Sequence, residues 1–398
     1  MKRCVGFTFL FFCASIIVSG TVFADSPIVR QNYDEFRDNR DGNDHSSVTD
    51  EAGMAELYLV SARKSIEQGD NATAVRYLNS GRKLAPDDGR FSLLLGDLYA
   101  RSGDELLAEK YLLEAVSQLP ASDLPVRRLG DLYYQAGNLP AARDVLIKAQ
   151  QISPGDLDLQ KQIKQVQREI EVEEAMVQDV NSIFTVTFDE RTHAELADRV
   201  IEILQVAYAE QGSLLNHYPQ KTVQVILYSR DDYDMTTGAP AWSAGRFDGK
   251  IRIPIGTRRV EAADLDRILT HEYNHFLAQQ ISRGRAPAWI YEGTAMTAEN
   301  HPRSRSTHFS EAIAQGKLLG FAELEQSFDR FERRQALLAY EQSFSFVAYL
   351  VNQFGWHSLK DLLNAYGRGL ATPEAFASVF NGFGLDFPTL VEEWRAGL

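Results

Sequence analysis

The sequence of 398 residues contains two cysteines, Cys4 and Cys13, both within its first 24 positions. Without that segment there is no disulfide, no thiol chemistry and no Cys-ligated metal. Positive charge is also scarce. There are 41 Lys and Arg against 55 Asp and Glu, a formal charge of −14, which argues against a nucleic-acid-binding surface. Beyond the first 24 residues no apolar run is long enough to cross a bilayer, so a multi-span membrane protein is excluded. With 44% hydrophobic and 24% charged residues, wholesale disorder is excluded as well. At roughly 150 residues per domain, two or three domains are expected.

Residues 1–24 read as a secretory signal peptide. Lys2 and Arg3 form a basic start, Cys4 to Val18 are almost all apolar, and Val22-Phe23-Ala24 offers small residues at a cleavage site after Ala24. Cleavage would take the formal charge from −14 to −16. An uncleaved anchor is the alternative, but an apolar stretch of about 15 residues is short for a span. Lipidation at Cys13 is disfavoured by bulky Phe12 before it. Residues 25–50 are rich in Asp, Asn, Arg, Gly and Ser and are expected to be a flexible linker.

An internal repeat occupies residues 51–155. Pro86, Pro120 and Pro154 recur every 34 residues, as do Gly69, Gly103 and Gly137, and Ala74, Ala108 and Ala142. Leu95-Gly96-Asp97-Leu98-Tyr99 returns as Leu129-Gly130-Asp131-Leu132-Tyr133. This period and these residue types resemble the tetratricopeptide repeat, with three copies, the first degenerate at Ser61 and Ser65. Small Gly96 and Ala108 would let two helices approach closely, and the prolines would end the second helix of each pair. Residues 156–180 are expected to form a capping helix, with Leu159, Ile163, Val166 and Ile170 on one stripe and charged residues closing the solenoid to solvent.

The period ends near residue 180. Ile183 to Phe188, Thr222 to Tyr228 and Ile251 to Ile255 read as strands, with a helix from Thr192 to about Leu215 and a hairpin turn at Phe247-Asp248-Gly249-Lys250. From Glu261 onward the pattern is mostly helical. Residues 181–398 are therefore expected to form an α+β domain with a small sheet first and helices after it. Ile251–Ile255, with Pro254, is either a sheet edge that takes up substrate backbone or an ordinary edge strand.

The chemistry lies in His271-Glu272-Tyr273-Asn274-His275, on a predicted helix from about Ala262 to Ile281. Residues i and i+4 are neighbours on one helix face, so His271 and His275 can share a metal ion. Glu272 is about 100° around the helix, too far to be a ligand, yet able to reach a metal-bound water. Glu292, in Pro287-Ala288-Trp289-Ile290-Tyr291-Glu292-Gly293-Thr294-Ala295, completes a set of two His and one Glu from a second helix. That set leaves one position open, as catalytic rather than structural zinc sites do.

The two motifs together resemble the gluzincin metallopeptidases of the thermolysin-like superfamily, and most nearly the bacterial peptidase-MA-like domains. The segments Thr237-Gly238-Ala239-Pro240-Ala241-Trp242 and Gly245 to Ile251 extend the resemblance. The fold implied is an α-helical tetratricopeptide-repeat solenoid followed by an α+β gluzincin-like metallopeptidase domain. The resemblance implies that His271, His275 and Glu292 are zinc ligands and Glu272 the general base. It also points to Tyr340 as a hydrogen-bond donor to the transition state, with helix packing as the alternative role. Glu299, on the same helical face as Glu292, is either a partner of a zinc-bound imidazole or a surface residue. His301 and His308 are candidates to line the cleft. His45, His193, His217 and His357 read as linker, surface or cap residues.

The function expected is an exported zinc-dependent metallopeptidase that hydrolyses peptide bonds, its repeats recruiting substrate or partner proteins. The alternative is an envelope scaffold whose repeats are the working surface and whose metallopeptidase-like domain turns over little. The intact Glu272 favours the enzyme. A different hydrolysis at the same zinc is a third reading, disfavoured because no Gly-x-Met-Glu-Asn motif for an N-terminal amine is present. The leader and the lack of disulfides lead to the expectation of a bacterial envelope protein, in the periplasm, with full secretion as the alternative.

Overall fold

The structure is a computed structural model of the chain. It describes residues 47–219, 222–237, 245–255, 262–299 and 305–398. The leader, most of the linker, His45, His301 and the segment from Gly238 to Ala244 lie outside the described residues.

Among the described residues seven helices come first: α1 Ser47–Glu67, α2 Asn71–Leu84, α3 Gly89–Ser102, α4 Glu105–Gln118, α5 Asp123–Gln135, α6 Leu139–Ile152 and α7 Leu157–Glu173. Their start points follow from capping chemistry. Asp70, Asp88, Asp104, Ser122, Asn138 and Asp156 each accept a hydrogen bond from a backbone N–H in the first turn of α2 to α7, which satisfies a donor the helix itself cannot. The helices α2, α4 and α6 stop just before Pro86, Pro120 and Pro154. The close approach expected at Gly96 is present: a Cβ there would lie 2.7 Å from Leu112 Cγ. The degenerate first copy makes the same helix pair, and its buried Ser65 turns its hydroxyl back onto the Ser61 carbonyl.

Two boundaries differ from the sequence reading. Helix α1 starts at Ser47, inside the stretch read as linker. The capping segment ends as helix at Glu173, and Val177–Val180 forms a strand, β1. These four residues are exposed, so they lack the buried alternation that reveals a strand in sequence, and only pairing with the next strand makes them one.

The second unit contains β2 Phe184–Phe188, α8 Glu190–Leu214, β3 Val223–Ser229, α9 Arg230–Thr237, β4 Arg246–Phe247 and β5 Ile251–Ile255. The sheet order is β1-β2-β3-β5-β4. The central strands β2, β3 and β5 are parallel, and the outer pairs are antiparallel. One sheet face, with Phe184, Val186, Val225, Leu227, Ile251 and Ile253, joins the main core under α8 and the later helices. The other face carries Ile226 and Tyr228, which pack with Val172 and Tyr233. Strand β5 is second from the edge rather than the edge strand. The short β4 covers only Ile251 and Arg252, and Ile253 to Ile255 have no outer strand partner among the described residues.

The remaining helices are α10 Ala262–Ser282, α11 Ala288–Ala298, α12 Thr307–Ala314, α13 Phe321–Leu324, α14 Arg333–Gly367 with a break at Gly355, α15 Thr372–Phe380 and α16 Phe387–Ala396. Their core is aromatic: Trp289 packs against Phe321, Phe346, Phe376 and Phe387. Among the described residues no helix is long and apolar enough to cross a membrane.

Lys161, Lys164, Arg168 and Glu171 of α7 face solvent, as expected of a capping helix. Glu169 does not: it is completely buried, paired with Lys250 and Arg252. The last repeat helix therefore closes onto the second unit, because a buried carboxylate needs buried cations and those come from β5 and the turn before it.

Candidate metal centre

Helix α10 turns Leu265, Ile268, Leu269, Tyr273 and Leu277 into the core, an amphipathic spacing that leaves His271 and His275 together on another face. Its position is fixed from behind. Buried Asn274 donates to Gln211 Oε1 at 2.9 Å, and Gln211 donates to the Thr270 carbonyl at 2.8 Å, which ties α10 to α8. His217, in the segment just after α8, pairs with Gln280 of α10 at 3.1 Å and is half-buried rather than a surface residue alone.

Helix α11 follows after a tight turn in which the Tyr291 hydroxyl meets Ser282 Oγ at 2.7 Å. Trp289, Ile290 and Thr294 anchor it in the core. Gly293 permits backbone contact with α14: a Cβ there would stand 2.6 Å from the Ser343 carbonyl oxygen and 2.4 Å from Val347 Cγ2. With α11 pressed down in this way, the neighbouring Glu292 points at α10.

Three ligand-type atoms converge as a result. His271 Nε2 and His275 Nε2 are 3.0 Å apart, and Glu292 Oε2 lies 3.3 Å from the first and 3.4 Å from the second. Glu292 Oε2 is buried and makes no well-aligned hydrogen bond among the described residues. The two Glu292 contacts are therefore ion-pair approaches, while the two imidazole Nε2 atoms stand within hydrogen-bond distance of each other. Tetrahedral zinc with bonds of about 2.0–2.1 Å holds its ligand atoms roughly 3.3 Å apart, so this donor set fits that ion. The three side chains are 14–19% exposed, so the point is reachable from outside.

The surrounding charges favour a cation there. Burial opposes a charged His271, but the close carboxylates of Glu292 and Glu299 and the nearby Glu272 overcome it and raise the imidazole to about 10. Burial likewise opposes the charged form of Glu292, yet His275 and His271 hold its carboxyl down to about 2. A divalent cation satisfies the same field as the proton. Glu272 is 6% exposed. Burial pushes its carboxyl above the ordinary range, with Glu292 and Asp248 adding to the rise and the two imidazoles opposing it.

Glu299 is buried, not a surface residue, and its Oε1 lies 2.7 Å from His271 Nδ1. Arg267, one turn before His271, approaches Glu299 Oε2 at 3.7 Å. Sequence reading missed Arg267, although its i−4 spacing from His271 was a usable signal. It also missed the direct contact between Gly245 and Glu272, which no local pattern encodes: a Cβ at Gly245 would lie 2.8 Å from Glu272 Oε1.

Tyr340 lies on α14, half-buried, with its ring edge-on to Phe328 at 5.3 Å. The converging atoms themselves come from α10 and α11 alone. His308 accepts from Arg334 at 3.3 Å beside Glu311, away from those atoms. His357 is exposed just after the break in α14.

Residues 214–398 match the family model of the Peptidase MA superfamily, and residues 61–123 match that of the tetratricopeptide repeat. No curated protein matches the chain. Among solved structures, a mutant O-GlcNAc transferase of Thermobaculum terrenum is similar at 14% identity with a TM-score of 0.28. That likeness covers 61% of this chain and 45% of the transferase chain, less than half its length, and at such a score it carries no argument. Both motif helices, α10 and α11, fall inside the first matched region. The chain thus carries tetratricopeptide repeats ahead of a domain of the Peptidase MA superfamily.

Proposed function

We propose that the protein is an exported zinc-dependent metallopeptidase that hydrolyses peptide bonds, with its repeats recruiting substrate or partner proteins. The observation that carries this reading is the convergence of His271 Nε2, His275 Nε2 and Glu292 Oε2 beside a buried Glu272. In the proposed site those three residues hold the ion, and Glu299 keeps the Nδ1 proton on His271 so that Nε2 faces inward. Zinc, when bound, polarises the scissile carbonyl and acidifies a water. Glu272 accepts the proton of that water on its carboxylate and passes it to the leaving amine.

The repeats keep exposed apolar side chains, among them Val60, Leu106 and Leu113, which supports a role in protein contacts. Export rests on the leader. Mass spectrometry of the protein from an envelope fraction is expected to find Asp25 as the first residue.

Elemental analysis and hydrolysis of labelled casein test the enzyme reading together. Wild type should hold one zinc per chain and cleave. Glu292→Ala should lose both properties, and Glu272→Gln should keep zinc and lose cleavage. Wild-type cleavage by Glu272→Gln would sink the assignment. Tyr340→Phe keeps the ring against Phe328 and removes only the hydroxyl. A fall in kcat of about a hundredfold would support its role as a donor, and unchanged kcat would end it.

A further inference from the structure

The interface between the repeats and the sheet contains a charge cluster that the proposed reaction does not use. Glu169 of α7 places Oε1 3.0 Å from Arg252 and Oε2 3.2 Å from Lys250, and all three side chains are at most 1% exposed. Tyr134 of α5 donates to Glu169 at 2.7 Å and accepts from Arg252 at 2.7 Å. Arg252 also donates to Tyr228 at 2.6 Å and to Asp248 at 3.0 Å. Tyr228 in turn donates to Glu173 of α7. Lys250 stands over the Tyr134 ring, 4.3 Å from its centre. Apolar residues of similar size commonly hold a core equally well, so stability alone does not explain such a cluster. In some proteins a paired buried cluster of this kind serves instead to fix one geometry.

The geometry it fixes is that of the β4–β5 hairpin. Arg252 and Asp248 brace the turn from inside, and Arg246 and Phe247 pair with Arg252 and Ile251. Phe247 rests edge-on against Phe276 of α10 at 5.9 Å. The residue before β4 is Gly245, whose backbone stands against Glu272 and Ile268 so closely that a Cβ would be 2.8 Å and 3.0 Å from them. A continuous set of contacts therefore runs from α7 to the Glu272 carboxylate.

We propose that the last repeat helix is a working part of the active site: Glu169, through Arg252 and Lys250, holds the β4–β5 hairpin so that Gly245 seats Glu272. This rests on the metallopeptidase reading, and Glu169 is then a positioning residue. The repeats would do more than recruit. The catalytic domain without α7 would bind metal but hydrolyse poorly.

The test uses the full chain with fluorescein-labelled casein, zinc analysis and hydrogen exchange of the amides at 245–252. Glu169→Gln should lower kcat by about ten- to a hundredfold, the effect of a misplaced catalytic group, with KM changed by less than about twofold and zinc retained. Exchange at 245–252 should quicken. Tyr134→Phe should shift both quantities the same way by less, and it decides the matter if Glu169→Gln does not fold. Wild-type kcat and exchange in a variant that merely melts earlier would reduce the cluster to a staple and overturn the proposal. If wild type binds zinc but leaves casein intact, the peptidase reading is what fails. Exchange then decides alone: quickening sustains the positioning role, and no change overturns it.

Discussion

His271 Nδ1 lies 2.7 Å from Glu299 Oε1, and this contact sets which ring nitrogen faces Glu292 and His275. A carboxylate takes the N–H, so the lone pair is left on Nε2, where a metal ion needs it. Glu299→Ala is therefore expected to weaken zinc binding by about ten- to a hundredfold while the fold persists. Competition with a chromogenic chelator measures this. Unchanged affinity would mean that the ring is oriented by something other than Glu299.

The pH dependence of stability in chelator-treated protein follows from the same charges. Glu292 is depressed from an ordinary 4.5 to about 2, so its contribution is present above 4.5 and is lost as pH falls toward 2. His271 is raised from 6.5 to about 10, so its contribution is complete below 6.5 and is lost as pH rises toward 10. The metal-free melting temperature should accordingly fall between pH 6.5 and 10. Metal binding needs the deprotonated imidazole, so added zinc should stabilise most in that same range. Thermal scans with and without chelator test both trends. A metal-free melting temperature that stays flat above pH 6.5 would contradict the pairing of His271.

Gly293 allows the backbones of α11 and α14 to touch, and a methyl group there meets a carbonyl oxygen and Val347. Gly293→Ala should destabilise the protein by about 1–3 kcal/mol through overpacking. It should also weaken zinc binding, since Glu292 moves with α11. Denaturant titration and the chelator assay read the two effects separately. Loss of stability with zinc affinity intact would show that α11 can shift without carrying Glu292 out of place.

Trp289 is fully buried among four other aromatic rings. Trp289→Ala should cost about 3–5 kcal/mol, as measured by chemical denaturation. A loss below about 1 kcal/mol would mean that the surrounding rings collapse into the space.

Much of the architecture was written locally. The 34-residue spacing of Gly96 and Gly130, and of the prolines that end α2, α4 and α6, defines helix pairs because each pair buries its face only against its neighbour. His271 and His275 share a helix face through the i, i+4 spacing alone. Glu292 could be named because its motif sits on the next helix.

Tertiary structure decided the rest. That Glu299 meets His271, that β5 lies inside the sheet rather than at its edge, and that Glu169 is buried all depend on residues distant in sequence. A carboxylate on a helix has the same local signature whether it faces water or an arginine 83 positions away. Only docking of the two units supplies the cations that make burial tolerable. The sequence by itself determined that residue types suited to ligating a metal and carrying a proton stand at His271, Glu272, His275 and Glu292. The packing of α10 against α11 determined that His271, His275 and Glu292 meet, because convergence within a few ångströms is a property of the whole core and of no single segment.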